Sequence, residues 1–169
     1  MNFIFATMIA SAVAGCAGIS AAAPQPGMPE SGVVTRLGTP SHVLQNPDGS
    51  DRILEYMHGP FGQTTYFARI GADGRLTSYE QVLTTKKFAQ ITIGVSTKAD
   101  VTRTIGTPSE TAYLALPKLE VWTYPYRENP VSDSMMYVHF DHAGIVRKML
   151  NGPDLRRDGN RRGLFGSRD

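Results

Sequence analysis

Cysteine is all but absent: Cys16 is the only one in 169 residues, so no disulfide can form within the chain. There is no marked excess of one charge. Lys and Arg number 17 against 15 Asp and Glu, a net charge of +2, and much of the basic surplus sits in the tail. That balance gives no footing for nucleic acid. Long apolar runs are missing as well. Phe3–Val13 (FIFATMIASAV) is too short to span a bilayer as a helix, and no other stretch could cross one. The usual catalytic signatures are also lacking: no Gly-rich phosphate loop, no C-x-x-C, no H-E-x-x-H, no G-x-S-x-G. The carboxylates Glu55, Glu80, Glu110, Glu120 and Glu128 are scattered, and nothing in the sequence pairs them. No catalytic residue and no cofactor is predicted. His139-Phe140-Asp141-His142 is the one cluster with metal-ligand types, but a structural metal takes four ligands and no other His or Cys lies near. A solvated strand end, with Asp141 accepting turn N–H groups, is the expectation there.

What the chain does have is a repeated phrase. Val95–Ser109 (VSTKADVTRTIGTPS) reads as one short helix with a firm stop. Ser96 or Thr97 can cap it, since a hydroxyl accepts from the orphan N–H groups of a first turn. Val101 and Ile105 share one face. Gly106 suits a C-terminal position of positive φ, and Pro108 forbids continuation. The phrase recurs at Val33–Ser41 (VVTRLGTPS), 68 residues earlier. Leu54-Glu55-Tyr56 answers Trp122-Thr123-Tyr124 at the same offset, and Tyr66–Ile70 answers Met136–Phe140 at an offset of 70. Several landmarks in one order make an internal repeat, with two extra residues in the middle loop of the second copy.

Each copy then reads as helix followed by a three-stranded antiparallel meander. The strands are expected near Arg52–Met57, Thr64–Ile70 and Arg75–Leu83, and again at Leu119–Tyr126, Met135–Asp141 and Gly144–Leu150. Gly71-Ala72-Asp73-Gly74 marks a hairpin, and His58–Gly62 and Arg127–Asp133 must be loops. Thr85–Ile91 reads as a further short helix with Phe88 and Ile91 on one face; the first copy has lost its equivalent. The fold class is therefore α+β, without the crossover helices of a parallel sheet. The organisation expected is a signal peptide (1–15), a Pro-rich tether (16–29), a first, degenerate repeat (30–84), a second repeat (85–151) and a disordered basic tail (152–169).

Val13-Ala14-Gly15-Cys16 resembles a bacterial lipobox, in which the cysteine is acylated and becomes the mature N-terminus. A plain signal peptide with an incidental cysteine is the other reading. Several acyl chains, at about 0.8 kcal/mol per buried CH₂, would fix the protein on a membrane without a spanning helix. Ala17 after the cysteine, in place of Asp, resembles outer-membrane sorting.

The turn Ile105-Gly106-Thr107-Pro108, the strand Trp122-Thr123-Tyr124 and the hairpin Tyr137–Val146 together resemble the SmpA/OmlA (BamE-like) family. The resemblance covers about Thr85–Asn151 well and the first copy weakly. It implies a lipid-anchored outer-membrane protein on the periplasmic face, a non-catalytic accessory whose partners are outer-membrane β-barrel assembly proteins. The fold it implies is also similar to that of the tandem-repeat β-lactamase inhibitor protein. An enzyme-inhibiting binding module is therefore the alternative function, with a protruding loop at His58–Gly62 or Arg127–Asp133 as its instrument. Candidate contact residues are Trp122, Tyr124 and Tyr126 as an aromatic stripe, with Phe61, His58 and Arg127 in the loops. The stripe either recognises a partner or packs beneath the helices. Arg156, Arg157, Arg161 and Arg162 offer contact with anionic lipid headgroups, or form a merely solvated tail.

Overall fold

The computed structural model describes residues 23–46, 48–59, 61–129, 132–154 and 156. The expected signal peptide, Cys16, most of the tether and Arg157, Arg161 and Arg162 lie outside the described residues. So does the place of the helix thought to be lost from the first copy. Among the described residues no helix is long and apolar enough to cross a membrane.

The first unit runs α1 (Glu30–Leu37), β1 (His42–Gln45), β2 (Asp51–His58), β3 (Thr64–Gly71) and β4 (Leu76–Gln81). The second runs α2 (Thr85–Phe88), α3 (Lys98–Ile105), β5 (Glu110–Leu114), β6 (Leu119–Asn129), β7 (Ser132–Phe140) and β8 (Val146–Pro153). Each set of strands forms one antiparallel sheet in chain order. Both sheets have four strands, which corrects the expected three. The missed strands, β1 and β5, are short edges. β5 is exposed at every position, so it shows none of the apolar alternation that reveals a half-buried strand. A smaller correction falls at the end of the chain, where β8 keeps residues 152 and 153 in the sheet.

The two units correspond bond by bond. Gly38 N–H donates to Val34 O at 2.8 Å, and Gly106 N–H to Thr102 O at 2.9 Å. Ser41 N–H donates to Glu55 O, and Ser109 N–H to Thr123 O. Pro29 bridges Arg75 as Thr97 bridges Ile145, tying each helix start to its last hairpin. A bulge falls at Arg69/Ile70 in one sheet and at His139/Phe140 in the other. Glu55 pairs with Phe67 and Thr123 with Tyr137, an offset of 68 on one strand and 70 on the next. The two extra residues therefore lengthen the β6–β7 hairpin.

α3 begins as its sequence demands. Thr97 Oγ1 accepts from Asp100 N–H while Asp100 accepts from Thr97 N–H, a capping box. Its buried face, Val101 and Ile105, joins Tyr124, Tyr126, Val138, Phe140 and Val146 in the core of the second unit. Phe88 and Ile91 close the same core, with the Phe88 ring edge-on to Tyr126 at 4.9 Å. In the first unit Val33 of α1 packs on Leu54, Tyr56, Ala68, Ile70 and Leu76. The opposite face of the first sheet carries a smaller cluster of Ile53, Phe67 and Val82.

Candidate interaction surface

The two units meet where that opposite face reaches the end of α3. Gly106 holds φ 94° and ψ −172°, a region in which a side chain is strained. A Cβ at Gly106 would also collide with Glu55 Oε1. The glycine thus lets a carboxylate from β2 come down onto the turn. Glu55 is fully buried. Its Oε1 accepts the Thr107 N–H at 2.8 Å and its Oε2 accepts the Thr107 hydroxyl at 2.8 Å. A charge so placed must be hydrogen-bonded to be tolerated, and Thr107 supplies both donors. Arg69 Nη2 donates to Arg103 O at 3.2 Å, adding a second tie to the same end of the helix. Tyr124 OH donates to Gly106 O at 3.1 Å. Burial pushes that phenol well above its ordinary value, and the neighbouring Glu55 charge adds to the rise. This junction is structural chemistry: Glu55, Thr107 and Tyr124 spend their side-chain polar atoms on one another's turn and strand.

Beside the junction a groove of about 500 Å³ runs between the units, lined by His42, Met57 and Phe61 on one side and by Pro108, Ser109, Glu110 and Arg156 on the other. The Arg156 guanidinium lies 4.5 Å over the Phe61 ring and binds Asp154 through two nitrogens. Arg156 is therefore engaged with its own chain, and Phe61 is partly covered by it.

The open surface lies elsewhere, along β5. This strand is the edge of the second sheet and exposes all five residues. Tyr113 is 66% exposed, and in the following turn Leu116 is 98% exposed. Leu114 adds to them. Lys118, in the same turn, has φ 52°, the only described non-glycine residue with positive φ. An exposed strand edge offers unpaired N–H and C=O groups to another chain, and adjoining apolar side chains mark such a surface as a place of contact.

The aromatic stripe falls mainly to the core. Tyr124 and Tyr126 are 1% and 2% exposed, which removes both as contact residues. Trp122 is half-buried against the same core, its ring 4.7 Å from Phe140, its Nε1–H donating to Glu120 Oε1 at 2.6 Å. Lys98 reaches the same carboxylate at 2.5 Å. That lysine bond first, and the indole bond second, hold the Glu120 carboxyl below its ordinary value. His58 is exposed at the end of β2 and meets the Tyr66 ring edge-on at 5.8 Å. Arg127 is exposed and lies 3.6 Å from Asp133. His58 ends β2, Phe61 lies in the loop after it and Arg127 belongs to the β6–β7 hairpin, yet hairpin and loop are linked: the Asp133 facing Arg127 accepts the Asp154 N–H, and Asp154 holds the Arg156 that lies over Phe61.

Asp141 accepts from the N–H groups of Ala143 and Ile145 and from Arg147 Nε. Those bonds, led by Ile145, hold its carboxyl below the usual range. Among the described residues no three His, Cys, Asp or Glu come together in a way that could hold a metal ion. Sequence reasoning missed Glu55 and Thr107 as partners, and Tyr113, Leu114 and Leu116 as surface. One signal for the first pair was legible: a glutamate inside the apolar run Ile53-Leu54-Glu55-Tyr56, where the second copy has Thr123.

Residues 80–149 match a family model, that of the outer membrane protein assembly factor BamE domain. The match takes in the last residues of β4 and then the second unit as far as the first half of β8, leaving the rest of the first unit unmatched. No curated protein matches the chain.

Proposed function

We propose that this chain is a lipid-anchored accessory of outer-membrane β-barrel assembly, working on the periplasmic face by binding proteins and not by catalysis. The match of residues 80–149 to the assembly-factor domain carries the reading. Involvement in outer membrane protein assembly is what that domain implies; the anchor and the mode of action are inferred from the chain itself. The lipobox-like Val13-Ala14-Gly15-Cys16 supports attachment. The exposed β5 edge with Tyr113, Leu114 and Leu116 supports binding, because an assembly accessory needs a surface that another chain can extend or cover. Arg157, Arg161 and Arg162 are left as the tail's contacts with anionic headgroups. The loop that an enzyme-inhibiting module would insert into a cleft, around Phe61, is instead turned toward Arg156 of the same chain, so the accessory role is preferred.

The test is in-cell cross-linking of the tagged full chain, followed by mass spectrometry of what co-purifies from detergent-solubilised membranes. Barrel-assembly components should be recovered. Recovery of a single unrelated periplasmic enzyme, without them, would make the chain an inhibitor or other binder.

A further inference from the structure

The junction turn exists twice, and only one copy of it is engaged. Gly38 (φ 86°, ψ −168°) has the backbone of Gly106, ends its helix with the same bond to the fourth residue back, and is followed by the same Thr-Pro. Around Gly106 the space where a Cβ would stand is filled by the Glu55 carboxylate; around Gly38 that space holds nothing within 4 Å. Thr107 gives its N–H and hydroxyl to Glu55. Thr39 is exposed, and among the described residues neither its N–H nor its hydroxyl has a partner. One further difference favours an acid. Arg36, exposed in the last turn of α1 and paired with no carboxylate among the described residues, stands where α3 has Thr104.

We infer that the Gly38-Thr39 turn, with Arg36 beside it, is a docking site for a glutamate or aspartate side chain presented from a strand of a partner protein. The chemistry is that of the internal junction: two donors from one threonine spread across the two oxygens of a carboxylate, approached through the gap that glycine leaves. At the strand position that meets the internal turn, a second copy of this chain offers no free acid. Its Glu55 is consumed within its own junction, and the equivalent strand position of the second sheet is Thr123, which carries no charge. The occupant we take is a different protein with a free acid at that strand position, one whose sheet meets the end of α1 as the first sheet meets the end of α3. The inference rests on the reading of the chain as a protein-binding accessory, and it adds where on the first unit the partner is held and by what group.

Thr35 is the place to probe. It is exposed on α1 and corresponds to Arg103, whose carbonyl lies in the internal junction. The full chain carrying p-benzoylphenylalanine in place of Thr35 is irradiated in cells, and protein adducts are mapped. Adducts are expected next to an Asp or Glu on a strand of the partner. Adding Thr39→Val should cut their yield about tenfold, as loss of one charge-assisted bond of about 1.4 kcal/mol implies. Thr39→Ser, which keeps both donors, should retain it. The thermal midpoint of Thr39→Val should match the parent, because the hydroxyl holds nothing among the described residues. Absence of a protein adduct overturns the site, as does an adduct indifferent to Thr39→Val, or one formed only with lipid. The two readings fail separately. Thr39-dependent adducts to proteins outside the assembly machinery would keep the site and remove the assembly role. Assembly components co-purifying while the Thr35 adduct ignores Thr39 would do the reverse.

Discussion

Glu55 and Thr107 lie 52 residues apart in the chain, and the carboxylate of one takes both donors of the other. The strand that bears Glu55 belongs to the first unit, the turn that bears Thr107 to the second, so this pair joins the two halves. Thr107→Val would leave one oxygen of a fully buried carboxylate without its donor, the N–H bond to the other remaining, and should cost about 1–3 kcal/mol in urea unfolding. Glu55→Gln, which keeps an acceptor for the N–H, should cost less. A double-mutant cycle between the positions should show coupling; a value below about 0.5 kcal/mol would mean the joint is held by something else.

Two tyrosines at equivalent positions should respond differently to losing their hydroxyls. Tyr124 OH bonds Gly106 O, whereas the buried Tyr56 OH has no partner among the described residues. Tyr124→Phe should destabilise by about 1 kcal/mol. Tyr56→Phe should be neutral or stabilising, since it removes a desolvated group that gains nothing in return. Equal losses on thermal unfolding would contradict the assignment.

Stability should fall in acid. Asp100 is held below its ordinary value of 3.8 by Thr97, through backbone and side-chain bonds. Asp141 is held below the same value by Ile145 and Arg147, and Glu120 below 4.5 by Lys98 and Trp122. Each folded-state pKa lies under its unfolded value, so the contribution is complete above the ordinary value and is lost as pH drops through the folded one. Urea midpoints measured from about pH 6 to about pH 3 should decline, most steeply below about pH 4. Asp100→Asn should flatten that slope, and an unchanged slope would show that the capping box does not contribute.

Leu116→Asp and Tyr113→Ser should leave the fold within about 0.5 kcal/mol of the parent, since both residues are exposed. They should nonetheless reduce what co-purifies from membranes. Full recovery of partners with both variants would exclude the β5 hairpin as the contact.

Cys16→Ala should fold normally and move from the membrane to the soluble fraction on cell fractionation. Retention in the membrane would sink the lipid-anchor reading.

Much of the second unit was legible because its signals are local and mutually consistent. Thr97, Asp100, Gly106 and Pro108 write a helix start and stop that need no tertiary help, and Val101 and Ile105 name its buried face. The repeat then carried that reading back to α1. Strands β1 and β5 escaped because an edge strand exposed to solvent has no periodicity to display. The interaction surface escaped for the same reason: Tyr113 and Leu114 look like core residues when their strand is not recognised. Tyr124 and Tyr126 erred in the other direction, as aromatic alternation marks a buried face and a recognition face alike. At the joint only half was legible: a glutamate inside the apolar run Ile53-Leu54-Glu55-Tyr56 asks for a buried partner, but no pattern along the chain says that the partner is a threonine in another unit.

The matching bulges at Arg69/Ile70 and His139/Phe140 divide each sheet into a part that cannot change length and a part that can. On the bulge side, one residue more or less would turn every following side chain to the wrong face. At the far end, the β2–β3 and β6–β7 hairpins, measured from the equivalent pairs Glu55–Phe67 and Thr123–Tyr137, already differ by two residues with no loss of the shared architecture. Those ends are where a reporter, epitope or fluorophore could be grafted into the living protein, leaving the helices, the joint and the β5 hairpin to work undisturbed.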